Sequence, residues 1–108
     1  MAKISPVTRG KTRPTTATPW TFLTNHAHVL ICIAEDPDVR IRDLAERVGI
    51  TERGVQRIIM ELEVSGYLTH ERDGRRNHYR VRTNLPLRHS VERHQNVAAL
   101  LRLVGDSR

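Results

Sequence analysis

Apolar and polar residues recur along the chain at two spacings, one helical and one alternating, and the helical spacing comes first. In residues 24–36 the apolar side chains recur every three or four positions and also fill the other sides of the helix. A helix that is apolar nearly all round is typical of a buried central position. Thr24 is a suitable N-cap, and Asp36-Pro37 ends the segment. The pattern predicts a first helix in the centre of the core.

Two further helices follow, separated by a very short connection. Residues 41–48 have one apolar face, and Gly49 suits the left-handed conformation that ends many helices. Thr51 is the next N-cap candidate, and apolar residues follow it at i, i+3, i+4 and i+7. These residues are Val55, Ile58, Ile59 and Leu62. Two helices joined by about four residues are typical of a helix-turn-helix.

The spacing then changes to that of strands. Residues 67–72 and 77–82 are predicted as two strands joined through Asp73-Gly74, a β-hairpin with a basic tip. Residues 90–105 return to helical spacing. We therefore predict a mainly α fold with a small β-hairpin, a winged helix-turn-helix in the order helix, helix, helix, hairpin, helix.

Charge and composition narrow the possible partners. Lys and Arg outnumber Asp and Glu by 18 to 12, and no acidic residue precedes Glu35. A basic chain suggests a polyanionic partner, although the same charge would also keep a small protein soluble.

Cys32 is alone, so no intramolecular disulfide is possible. The longest apolar run is too short to span a membrane, and the N-terminus lacks the apolar stretch of a signal peptide. We expect a cytoplasmic protein with no membrane partner.

Residues 41–81, IRDLAERVGITERGVQRIIMELEVSGYLTHERDGRRNHYRV, resemble the winged-helix core of bacterial transcriptional regulators of the MarR and ArsR types. The similarity rests on DLAERVGIT, on Val55 and Leu62, and on SGYL. The resemblance implies a nucleoid-associated, sequence-specific regulator that binds double-stranded DNA as a homodimer, with a recognition helix at about 51–65 and a wing at about 67–82.

On this basis the chain divides into three predicted parts. Residues 1–19 hold three prolines and two large apolar side chains, which predicts a disordered basic arm. Residues 20–84 are the predicted DNA-binding domain. Residues 85–108 are predicted as a C-terminal helix for dimerisation, because Val97, Leu101 and Val104 form a stripe that suits a partner helix.

The third helix carries the residues that we predict to contact bases. Burial of its apolar stripe leaves Arg53, Gln56 and Arg57 outside, and Arg and Gln form paired hydrogen bonds with guanine and adenine respectively. Thr51, at the helix N-terminus, suits a backbone phosphate. Further contacts to phosphates or a groove are predicted for Arg40, Arg42, Arg72, Arg75, Arg76 and Asn77.

Other functions have weaker support in the sequence. HSVERH loosely resembles the interface sites of some ArsR-type metal sensors, but His89 and His94 fall on different faces of a helix, and we predict no metal and no cofactor. Enzyme motifs are absent and Cys32 lies in the most apolar helix, so no enzyme is predicted. A protein-docking or RNA-binding winged helix stays open as an alternative, with Met60 as its one apolar residue on the outer face of the third helix. No effector is specified.

Overall fold

The computed structural model describes residues 20–105, which form four helices and a two-stranded antiparallel hairpin. The elements are α1 (Asn25–Glu35), α2 (Ile41–Val48), α3 (Glu52–Val64), β1 (Leu68–Asp73), β2 (Arg76–Val81) and α4 (Val97–Gly105). Their order confirms the predicted winged helix-turn-helix fold. The predicted basic arm at residues 1–19 lies outside the described residues. In the described part of the chain, no helix is long and apolar enough to cross a membrane.

Helix α1 is the centre of the core, as its pattern predicts. Thr24 caps it, because its hydroxyl oxygen accepts a hydrogen bond from the Ala27 N–H at 3.2 Å. Five consecutive residues, 29–33, are buried, and the helix packs against α2, α3, α4 and β2. Burial on so many sides requires the nearly continuous apolar sequence of this helix.

The connection between α2 and α3 is set by one glycine and one threonine. Gly49 has a φ of 87°, a conformation that costs little only for glycine, and its N–H donates to the Ala45 carbonyl at 2.8 Å. Thr51 then caps α3, accepting from the Gly54 N–H at 3.0 Å. The turn holds Leu44 and Val55 in the same buried cluster and fixes the direction of α3.

The hairpin is joined to the core on one face only. Strands β1 and β2 pair from Leu68 opposite Val81 to Asp73 opposite Arg76, and Gly74 turns the chain with a φ of 64°. Leu68 and Tyr79 are buried against the helices. The cations of the tip are exposed and lie outside the buried cluster.

The last helix differs from its prediction. Helical spacing predicted a helix from Ser90, but α4 begins at Val97, and Asn96 caps it by accepting from the Ala99 N–H at 3.0 Å. The preceding chain forms turns instead, because its backbone pairs with residues 85–87, as in the bond from the Val97 N–H to the Leu85 carbonyl at 3.0 Å. Val97 itself is buried in the core of its own chain. Its prediction as a dimer contact does not fit this position, since Val97 is only 1% exposed.

Candidate nucleic-acid interface

The N-terminal half of α3 presents polar side chains on its outer face. Val55, Ile58, Ile59 and Leu62 are buried, and this orients the opposite side of the helix toward solvent. Arg53, Gln56 and Arg57 lie on that side, and all three are exposed. The structure thus brings the three predicted base-contacting residues together on one surface.

The predicted phosphate contacts at the start of α2 and at the N-cap of α3 are also exposed, although Thr51 already has a structural role. Its hydroxyl accepts the Gly54 N–H, which leaves its O–H free to donate. Arg40 precedes α2 at the N-cap position without a side-chain capping bond, and Arg42 lies in the first turn of α2. Both cations are accessible to a polyanion.

The wing presents three of its four predicted residues at the surface. Arg72, Arg75 and Arg76 are exposed, with Arg72 donating to the Gly74 carbonyl at 3.2 Å. Asn77 differs, because it is half-buried and its amide donates to the Tyr79 hydroxyl at 3.3 Å. Residues two apart on a strand share a face. The burial of Tyr79 therefore turns Asn77 inward, and the prediction that Asn77 contacts DNA does not fit its position.

Three side-chain contacts, together with the backbone bond from the Tyr79 N–H to the Pro37 carbonyl at 2.9 Å, join the wing to the rest of the domain, and the sequence pattern did not predict them. His70 on β1 pairs with Glu63 near the end of α3. On β2, His78 Nδ1 lies 2.7 Å from Asp38 Oδ1, and Arg76 donates to the Asp38 carbonyl at 3.2 Å. The wing is therefore attached both to α3 and to the loop between α1 and α2. These side-chain contacts join residues up to 40 positions apart, so local sequence patterns do not predict them.

The C-terminal half of α3 faces a different environment. Met60 and Val64 line a groove of about 650 Å³, together with Phe22 before α1 and Leu87 after β2. The side chains of Met60, Val64 and Phe22 are exposed. The sequence reasoning named only Met60 as apolar on this face. Val64 lies four residues after Met60 on the same face, so helical spacing would have predicted a second apolar residue there.

Titratable groups do not converge on a metal site in the described residues, where no group of three His, Cys, Asp or Glu side chains could hold an ion. Cys32 is buried in α1, and desolvation raises the pKa of its thiol above the usual value. A thiol with a raised pKa is a poor nucleophile and behaves as a small apolar side chain.

The comparisons with known proteins agree with this geometry. Residues 24–69 match a protein family described as winged helix-turn-helix DNA-binding, and the matched range runs from the N-cap of α1 into β1. No curated protein matches the sequence.

Two solved structures are similar to the chain. A MarR family transcriptional regulator, SPO1453 from Silicibacter pomeroyi DSS-3, is 19% identical with a TM-score of 0.52, over 77% of this chain and 52% of that one. The PcaV transcriptional regulator from Streptomyces coelicolor, solved in complex with its natural ligand, is 27% identical with a TM-score of 0.49, over 56% of this chain and 45% of that one. The chain spans about half the length of these structures, and the likeness to SPO1453 supports the fold.

Proposed function

We propose that the chain is a transcription regulator that binds a specific DNA sequence as a homodimer, because residues 24–69 match a family described as winged helix-turn-helix DNA-binding. One observation carries the proposal: the exposed N-terminal half of α3 bears Arg53, Gln56 and Arg57. The opposite face of this half is fixed in the core, so these side chains are presented on a rigid element. Rigid presentation is what recognition of base edges requires.

In this proposal α3 lies in the major groove. Arg53 and Arg57 each match the O6 and N7 acceptors of guanine, and Gln56 matches the N6 donor and N7 acceptor of adenine. Arg40 and Arg42, at the start of α2, contact backbone phosphates and set the orientation of α3 without specifying bases.

The wing contributes affinity more than specificity. Arg72, Arg75 and Arg76 lie close together around the turn of the hairpin, where guanidinium groups suit phosphates or the walls of a minor groove. Asn77 is left out of this interface because its side chain points toward Tyr79. The pairing of His78 and Arg76 with Asp38 supports the role of the wing, since it limits movement of the hairpin relative to α2.

A homodimer binds an inverted repeat, since two-fold symmetry of the protein requires two-fold symmetry of the site. We expect half-sites about 10 base pairs apart, or a multiple of that, so that both α3 helices meet the same side of the duplex.

The test is selection of bound fragments from random duplex DNA by the full chain at stated salt. We expect an enriched inverted repeat. The double variant Gln56→Ala with Arg57→Ala is the matched control, and it should still retain DNA while enriching no motif. Retention of DNA by the unaltered chain without any enriched motif would contradict the base-contacting role of α3.

A further inference from the structure

The outer face of α3 becomes apolar in its second half. Met60 is 57% exposed and Val64 is 82% exposed, and the two lie one helical turn apart. They border the groove of about 650 Å³ that runs between α3, the start of α1 and the chain after β2. Solvation of a contiguous apolar surface is unfavourable, and such surfaces mark interaction sites in small proteins.

A protruding aromatic pair lies at the edge of this groove. Trp20 and Phe22 contact each other edge to face, with ring centroids 5.0 Å apart, and Phe22, which lines the groove, is 92% exposed. The whole chain has four Phe, Trp and Tyr residues, and Tyr79 is buried while Tyr67 is half-buried. Its only Trp and its only Phe thus lie together at the surface, outside the core cluster of the described residues.

We propose that this aromatic pair and the groove are the two halves of a symmetric contact between two copies of the chain. Each copy inserts its Trp20 and Phe22 into the groove of the other, beside Met60 and Val64. A two-fold contact uses the same surface on both copies. The aromatic pair of each copy would then fill the groove of the other, and both apolar surfaces would be buried together. The inference rests on the proposed homodimeric function and names the surface that forms the dimer.

The charges around the groove fit a second copy. Arg88 and Glu92 both line it. In a two-fold contact, a rim with a single sign of charge would face the same sign in its mate and repel it. This rim has both signs, so the guanidinium of one copy can face the carboxylate of the other. Arg88 also donates to the Ser65 hydroxyl at 3.2 Å, which places it beside the end of α3.

The contact is centred away from the first turn of α3, where Arg53 lies. Gln56 and Val64 are eight residues apart on α3, which corresponds to about 12 Å along the helix axis. Met60 lies one helical turn from Gln56, so a mate centred on Val64 leaves Arg53 free and comes within about 6 Å of Gln56 along the axis. On α4, where the sequence predicted the dimer contact, the only exposed large apolar side chain in the described residues is Leu103.

Sedimentation velocity of the full chain tests the assignment. The variants are Phe22→Ser and Val64→Ser in the groove, and Leu103→Ser as the matched control, since Leu103 is 74% exposed and lies outside the groove. We expect the unaltered chain and Leu103→Ser to sediment as dimers. Each groove variant should dissociate, with a dimer Kd raised by roughly tenfold or more. Unchanged thermal unfolding of the monomeric state would show that the groove variants remain folded.

Several results would overturn the assignment. One is a monomer at every concentration, whether the groove is then empty or covered by residues 1–19 of the same chain. Others are groove variants that stay dimeric, or a Leu103→Ser variant that dissociates as strongly as they do. Binding to a duplex with a single half-site separates this failure from failure of the proposed function. Monomeric groove variants should keep their preference for the selected half-site, whereas a loss of sequence preference in the unaltered chain would contradict DNA recognition regardless of the oligomeric state.

Discussion

Helix α3 has one apolar inner face along its whole length, but the exposed side chains on its outer face differ between its two halves. Arg53, Gln56 and Arg57 occupy the N-terminal half, and Met60 and Val64 occupy the C-terminal half. The inner face is apolar throughout, so core packing does not explain the change on the outside. The difference fits the two contacts proposed above, DNA for the N-terminal half and a second copy of the chain for the C-terminal half. One helix of 13 residues thus carries a polar outer surface in its N-terminal half and an apolar one in its C-terminal half.

The neighbours of the two halves differ in the same way. The N-terminal half follows a tight turn fixed by Gly49 and Thr51, and among residues 20–105 its outer side chains are exposed. The C-terminal half lies between the chain before α1 and the chain after β2, which form the walls of the groove. Sequence recognition needs projecting side chains, whereas a partner of matching shape needs a concavity.

The largest effect on DNA should come from single substitutions in the N-terminal half. Gln56→Ala or Arg57→Ala should weaken binding to the selected site by about 1 to 3 kcal/mol, because each removes a paired hydrogen bond to a base, and should have little effect on random duplex. Neither variant should change the dimer Kd. Fluorescence anisotropy with both duplexes measures the difference.

Arg102→Ala is the control for the loss of a charge in Arg57→Ala, since Arg102 is exposed on α4. It should leave both DNA affinities nearly unchanged. Equal losses on the selected and random duplexes for Arg57→Ala would instead assign Arg57 to the phosphate backbone.

The sequence predicted the order of the elements and the polar half of α3 because both depend on local periodicity. Apolar spacing in residues 55–62 fixes which side of α3 is buried, and the exposed positions follow from it. Capping residues are equally local, and Thr24 and Thr51 both cap as predicted.

The start of α4 and the groove could not be predicted in the same way. Helical spacing around residue 90 is outweighed by backbone pairing between Pro86 and Asn96, a contact that a single helix pattern does not contain. The groove needs Phe22, Val64 and Leu87 to meet, and they come from three separate segments. Asn77 is a different case, since alternation along β2 with buried Tyr79 would have placed it on the inner face.

Substitutions in the wing should lower the affinity for DNA while both halves of α3 stay unchanged. Arg75→Ala combined with Arg76→Ala should weaken binding to all duplexes alike. It should reduce the slope of log affinity against log salt by up to about two, because each phosphate contact releases about one counterion. Affinity measured from low to moderate salt gives the slope.

Arg93→Ala combined with Arg102→Ala is the matched control, since it removes the same charge from exposed positions outside the wing. It should change the slope much less. A slope that falls equally in both double variants would show that net charge, not wing contact, lowers the affinity.

The smallest expected effect is on the titration of Glu61, which lies at the boundary between the two halves of α3. His26 Nε2 lies 2.6 Å from Glu61 Oε1, and this hydrogen bond lowers the pKa of the Glu61 carboxyl, with a smaller contribution from the charge of Arg57. A folded-state pKa below the unfolded one stabilises the fold above the unfolded pKa, and this stabilisation is lost as pH falls through the folded pKa. The carboxyl is exposed, so we expect a displaced titration rather than a measurable loss of stability.

NMR titration of the Glu61 carboxyl should show a midpoint below the usual range, which His26→Ala moves upward. His28→Ala is the control, since His28 contacts Asn25 instead, and it should leave the midpoint in place. A midpoint that His26→Ala does not move would mean that the contact between α1 and α3 is not formed in solution.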